Sequence, residues 1–428
     1  MSDENELTEY EAAERAAIQR RTLRVLMLGQ MVGAGALASA IVVGAFVVQD
    51  ILGQNTPWAG IATATTTTGT AVMSQMMARR MRRLGRRPGL QMGYMLAVVG
   101  GLIAAFGAQH DQLAVFLVGL FVFGNGQAAN LQARYAATDL ALPAERGQAM
   151  SRIVFASTFG AVFGPLLVGP AEWLSEHVLG LHRYTGPWLV SSALFAAAAV
   201  NIGLQLRPDP LVVAGGIDPD ARAERPKLMT ALRVINAQPR SRLALAAMMI
   251  SQGAMVGVMA MTPVHLKLHG HEGVSQYVVS LHIAGMYAFS PLVGRISDTR
   301  GRLYTIMIGA VAIIGSCALA ALSGDVEQLL FPSLWGLGLG WNFGLIGGSS
   351  LLSESVPAEH RVAVQGSADL MMSLCGGLAG FTSGFIRRAV GYHLLATLAM
   401  VAAGGLLVAA FAARRREEPA PAEPLPAT

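Results

Sequence analysis

Two short basic loops, half a chain apart, limit what this sequence can fold into more than any other feature. Met77 to Leu90 reads MARRMRRLGRRPGL and Gly294 to Tyr304 reads GRISDTRGRLY. Each is a positively charged turn around a glycine, Gly85 or Gly301, set between two long apolar segments. A second pair keeps the half-chain spacing: Leu142-Pro143-Ala144-Glu145-Arg146 against Val356-Pro357-Ala358-Glu359-His360-Arg361. The pattern predicts a chain built as two copies of a six-segment membrane bundle, arranged as parallel repeats.

Charge supports this more firmly than hydrophobicity does. Charged residues make up 13% of the 428 residues, against the roughly 25% with which a soluble domain covers its surface. They are also clustered, so the apolar runs between them reach the length needed to cross a core of ~30 Å. The runs are continuously apolar rather than alternating, which predicts helices and not a barrel. The two cysteines, Cys317 and Cys375, lie inside apolar runs and form no disulfide framework or metal-ligand spacing. Met1 to Arg24 is polar and has no apolar h-region, so the first span is expected to direct insertion itself.

Reading windows between charges gives twelve spans. An extension (1–24) precedes a six-helix bundle (25–206), a polar linker (207–242), a second six-helix bundle (243–412) and a tail (413–428) expected to be disordered. Spans 1, 2, 5, 8 and 11 are predicted over 25–48, 58–78, 151–173, 275–295 and 365–385. Of the 31 lysines and arginines, all but Arg183, Lys267, Arg387 and Arg388 then fall on one side. That asymmetry places both termini in the cytoplasm. Tyr10 to Arg24 reads either as an amphipathic helix on the membrane surface or as a solvated extension.

With these residues in place the chain resembles the major facilitator superfamily over its full length. The family's loop signature, G-x-x-x-D-R-x-G-R-R, is kept after span 8 by Gly294, Asp298, Gly301 and Arg302. After span 2 it is partial. Arg83, Gly85, Arg86 and Arg87 fit, while Ala78 replaces the glycine and Arg82 the aspartate. The resemblance implies that the loop aspartate faces the start of a helix in the opposite half, forming a cytoplasmic latch. For Asp298 that start lies near Arg152. For the first loop it lies near Asp369, so Arg82 is expected either to pair with Asp369 or simply to add to a basic loop. Span 5 carries Gly160, Gly164, Pro165 and Gly169, close to an exporter signature, with Val168 in place of one glycine. Glycines four apart allow close packing and Pro165 favours a kink. The span 4 arginine of export branches falls on Leu120, so their proton relay does not carry over.

Ionisable groups inside a membrane are costly and mark function by default. Spans 1, 4, 7 and 10 have no acid near mid-depth and offer amides instead. The expected cavity residues are Asn125, Gln127, Asn130, Gln252, His282, Trp341 and Asn342. The amides serve either to bind substrate or to bridge helices. His282 reads as a proton carrier or as a neutral, hydrogen-bonded histidine. Arg134, near the end of span 4, reads as snorkelling to the interface. Thr65 to Thr68 bond back to the preceding turn and soften the helix.

The resemblance implies an all-α secondary transporter of a plasma membrane, monomeric, moving a small-molecule substrate through the lipid bilayer by alternating access. No phosphate-binding loop of the G-x-x-x-x-G-K-[ST] type is present, so coupling to an ion gradient, H+ first, is expected. Export of a small, fairly apolar compound is the first reading. Uptake or proton symport of a small metabolite is the second, and a receptor or scaffold that has lost transport is the third. No enzyme motif, cofactor, metal site or nucleic-acid partner is indicated.

Overall fold

The computed structural model describes residues 2–52, 61–217, 228–268, 275–324 and 326–417, and among these it contains helices and no strands. We number the main helices in chain order. The first six are α1 Ser2–Leu52, α2 Ile61–Leu84, α3 Arg86–Gln109, α4 Leu113–Ala136, α5 in two pieces Arg146–Leu166 and Val168–His177, and α6 Thr185–Gln205. The second six are α7 Pro239–Leu268, α8 in two pieces Ser275–Tyr287 and Ser290–Arg300, α9 Arg302–Leu322, α10 Leu330–Glu354, α11 Ala358–Val390 and α12 Tyr392–Glu417. Among the described residues nine helices are long and apolar enough to cross a membrane, and the bent α5 makes a tenth. α2 and α10 are as long but richer in threonine and arginine, or in glycine and serine, and the whole is consistent with twelve spans.

The packing repeats with the sequence. In the first half α3 packs on α4, α1 on α5, α3 on α6, α2 on α4 and α1 on α6. Adding six to each label gives the pairs of the second half: α9 on α10, α7 on α11, α9 on α12, α8 on α10 and α7 on α12. The halves join through α2 against α11 and α5 against α8, again a symmetric pair. The described start of α1 near Arg15 and Gln19, the start of the linker at Asp209 and the end of α12 at Arg414 lie on one face, called here the linker side.

The repeated loops owe their shape to glycine. Gly85 and Gly301 precede α3 and α9 with φ/ψ of 98°/174° and 94°/159°, a region almost closed to other residues. At Gly160 and Gly164 a side chain would overlap the α1 backbone at Met31 and Gly35, so α1 and α5 cross closely. Gly169 has open space around it and packs nothing, because α5 breaks at Leu167, two residues after Pro165.

Several boundaries differ from the hydropathy windows, and for one reason. A helix continues through good helix formers after its apolar run ends. α1 therefore absorbs the N-terminal extension. Within that extension Gln19 donates to the Ala137 carbonyl (2.7 Å) and Arg15 to the Leu140 carbonyl (3.4 Å), while residues 13–17 are exposed. α11 begins seven residues early, at Ala358, and α12 runs on to Glu417. The rest of the tail lies outside the described residues.

Candidate functional site

Between the halves lies a cavity of about 460 Å³, within the range of small-molecule sites. Its position in each helix is set by helical phase. On α4 the lining residues are Gln127, Asn130, Leu131 and Arg134, spaced i, i+3, i+4, i+7 along one face. Asn125 is off that face, buried, and donates to the Val122 carbonyl (2.7 Å). On α8 the lining stripe is Val279, Ile283, Met286 and Tyr287. His282 is turned away from it and lies fully buried with Nδ1 2.7 Å from the Leu334 carbonyl of α10. On α10 Trp341 lines the cavity, whereas Asn342 faces α8 and donates to Ser290 Oγ (3.0 Å). Of the seven expected cavity residues, Gln127, Asn130, Gln252 and Trp341 line it; Asn125, His282 and Asn342 sit in helix contacts beside it.

The two walls differ in chemistry. The first half supplies Gln30, Gln127, Asn130, Ser157 and, from α2, Thr63, Thr66, Thr67 and Thr70, set among apolar side chains such as Leu37, Leu131 and Ile153. Part of this wall is already engaged: Gln30 donates to Ser157 (2.8 Å), Asn130 accepts from the Tyr94 hydroxyl (2.9 Å), and Thr66 and Thr70 bond back along α2. The Gln30 side-chain oxygen is buried without a partner among the described residues, on a residue that lines the cavity. The second half is mostly apolar, with Met255, Met259, Met286, Met372, Tyr287 and Trp341, and adds the polar Gln252 and Ser373. The indole N–H of Trp341 donates to Gln252 (2.6 Å), and its ring meets Tyr287 edge-on at 5.8 Å.

The linker-side end of the cavity is closed by buried charge. Arg134 does not snorkel. It is 2% exposed and pairs with Asp369 of α11 at 2.5 Å, while also donating to Ser349 of α10 (3.2 Å). Gln132 donates to the other oxygen of Asp369 (2.9 Å). The early start of α11 puts Asp369 about three turns inside the helix, out of reach of the α2–α3 loop. The Arg82–Asp369 pairing is thus replaced by Arg134–Asp369, and Arg82 Nε has no hydrogen-bond partner among the described residues. Asp369 and Arg134 were missed as a pair because hydropathy windows carry no information on which helices face each other. The acid inside an apolar run was the available signal.

One layer further out, the two repeated loops do matching work. Arg86, fully buried, holds Asp139 with two hydrogen bonds (2.8 and 3.0 Å) and reaches across to Gln365 of α11 (3.0 Å). Arg302 holds Glu354 with two hydrogen bonds to one carboxylate oxygen (3.0 and 2.8 Å) and reaches across to the Pro143 carbonyl (2.8 Å). Burial pushes the Asp139 carboxyl above its ordinary value, and the Arg86 guanidinium opposes that shift. Asp298 also pairs with Arg302 and accepts from the amides of Gly147 and Gln148 (2.9 and 2.8 Å). Its target is therefore the true start of α5. Arg152, a turn further on, is exposed and outside the contact. On the other side of the pseudo-symmetry Ala78 packs directly on Gly366, so the small residue lost from the loop has moved to the facing helix.

The comparisons agree with this architecture. The Major Facilitator Superfamily profile matches residues 26–380 and 275–428. The chain belongs to that superfamily. It is 34% identical to YddS, an uncharacterised MFS-type transporter of Bacillus subtilis, over 88% of this chain and 87% of that one. It is 27% identical to the riboflavin transporter RfnT of Brucella anthropi over 89% and 92%. The crystal structure of the human organic anion transporter MFSD10 matches with a TM-score of 0.74 at 14% identity, covering 92% of this chain and 99% of that one. At such identity the likeness shows the fold. The chain is thus a member of a transporter family, and its cavity ends on the linker side at the buried Arg134–Asp369 pair.

Proposed function

We propose that this chain exports a small, largely apolar compound from the cytoplasm across a plasma membrane, driven by an ion gradient. Its solute has a flat apolar face and a hydrogen-bonding edge. The observation that carries the reading is the contrast between the cavity walls. Methionines adapt to flat rings, and Trp341 and Tyr287 offer aromatic contact, while the opposite wall offers amides and hydroxyls. A heteroaromatic compound with a hydroxylated or amide-bearing edge fits both. The relative that transports riboflavin points to the same chemical class. Export rests on the resemblance of the α5 signature to exporter branches, with Gly160 and Gly164 in close contact with α1. The basic linker side is taken as cytoplasmic from its arginine and lysine content.

The test is riboflavin movement in vesicles of each orientation carrying an imposed proton gradient. Accumulation in inside-out vesicles, at least tenfold reduced by Gln127→Ala or Trp341→Ala, is the expected result. Accumulation only in right-side-out vesicles would establish uptake instead. Absence of movement for riboflavin and for a panel of related heteroaromatics would remove this substrate class.

A further inference from the structure

The Arg134–Asp369 pair has no counterpart among the repeated loops. It joins α4 of one half to α11 of the other, with both side chains at most 2% exposed. Arg134 itself lines the cavity, so Asp369 lies one side chain behind the cavity floor. We propose that Asp369 is the proton-binding group of this transporter and that its ion pair with Arg134 is the switch between the two faces. The proposal rests on the transport reading above.

The charge balance is simple. With Asp369 ionised, the pair is neutral as a unit, and Gln132 supplies the second carboxylate oxygen with a donor. A proton arriving through the cavity adds to the carboxylate oxygen, and Arg134 keeps its own proton. The site then carries one uncompensated positive charge in a closed, poorly solvated place. Breaking one partner of a buried pair is strongly unfavourable, and the strain is relieved when the halves part on the linker side and water reaches Arg134. There Asp369 meets the linker-side solvent and releases the proton. The proton thereby moves from the far side to the linker side once per cycle.

The surroundings suit this role. Around Asp369 stand Arg134 and Tyr135 of α4, with Tyr135 also bonded to Arg134 (3.2 Å). Arg86 of α3 is connected through Gln132 (3.5 Å) and Gln365 (3.0 Å). Toward the linker side follow Asp139 after α4, Arg79 and Arg82 of α2, Glu354 of α10, and Arg361, His360 and Glu359 on α11 itself. Arg233 belongs to the short linker helix Leu228–Ala237, which packs on α11. Asp369 is the carboxylate among these that is both fully buried and held directly across the two halves by a cavity-lining cation.

The test needs no substrate, so it stands apart from the vesicle assay. Spin labels at Leu84 and Thr299, exposed linker-side positions in opposite halves, would be placed in a Cys317→Ala, Cys375→Ala background. Their separation is then measured by pulsed electron paramagnetic resonance across a pH series. Acid is expected to lengthen it in the parent protein. Asp369→Asn should give the long separation at every pH, and Asp369→Glu should keep the pH response. Gln132→Leu, which removes a donor to the carboxylate, should move the transition to higher pH. A parent-like pH response in Asp369→Asn, an unmoved transition in Gln132→Leu, or a parent separation that ignores pH would each overturn the proposal.

Discussion

At the scale of single residues, the two loop glycines make different demands. Both have a positive φ that strains any side chain, at a cost of order 1–3 kcal/mol. At Gly85 a side chain would also overlap the Asp209 carboxylate, whereas Gly301 has open space. Asp209 is not spare: it accepts from the backbone amides of Arg86 and Arg87 (3.1 and 2.7 Å) and so holds the start of α3. Gly85→Ala should therefore lower the melting temperature in detergent clearly more than Gly301→Ala. The glycines were legible in the sequence because backbone demand is local. The partner of Asp369 was not, since it depends on which face of α4 meets α11. That difference is testable: Arg82→Asp should leave stability and transport near parent values, while Arg134→Gln should cost ~3–5 kcal/mol by stranding a buried carboxylate. A thermal-shift comparison of the two variants reads this directly.

At the scale of helices, hydropathy located the apolar stretches and misjudged their ends. The windows stop at charges, but helical hydrogen bonding does not, so α1 and α11 run well past them. In α5 the window 151–173 contains the kink that Pro165 favours, since the helix breaks at Leu167. The GxxxG part of its motif is an actual packing surface, whereas Gly169 belongs to a segment beyond the break. Gly160→Leu should thus prevent α1 and α5 from crossing and yield aggregated protein on size-exclusion chromatography. Gly169→Leu should elute as the parent does. Equal behaviour of the two would mean that the α1–α5 contact does not decide assembly.

At the scale of the whole molecule, the two halves carry the same gate device twice but not with the same parts. Each loop arginine binds a carboxylate in its own half and crosses to the other. Only the second loop keeps an aspartate on a helix start, Asp298 on α5. In the first loop that duty has passed inward, to Asp369 and Arg134. The linker side is therefore held by one outer contact, Asp298 on the start of α5, and one inner contact proposed to respond to pH. The outer contact is an ionised acceptor on two backbone amides, worth about 1.5–3 kcal/mol per bond when intact. Asp298→Asn keeps the shape but loses the charge. Losing roughly 1.4 kcal/mol shifts a two-state equilibrium tenfold, so the linker-open population should rise by about that factor. Met150 reports it well, being fully buried on α5 with its sulfur 3.5 Å from Ser350 Oγ in the opposite half. A cysteine at this position should react about tenfold faster with an impermeant thiol reagent added from the linker side in Asp298→Asn than in the parent. The increase should persist at alkaline pH, where the inner pair is intact. An increase confined to acid would show instead that Asp298 acts only through Asp369, and that the two layers form a single gate.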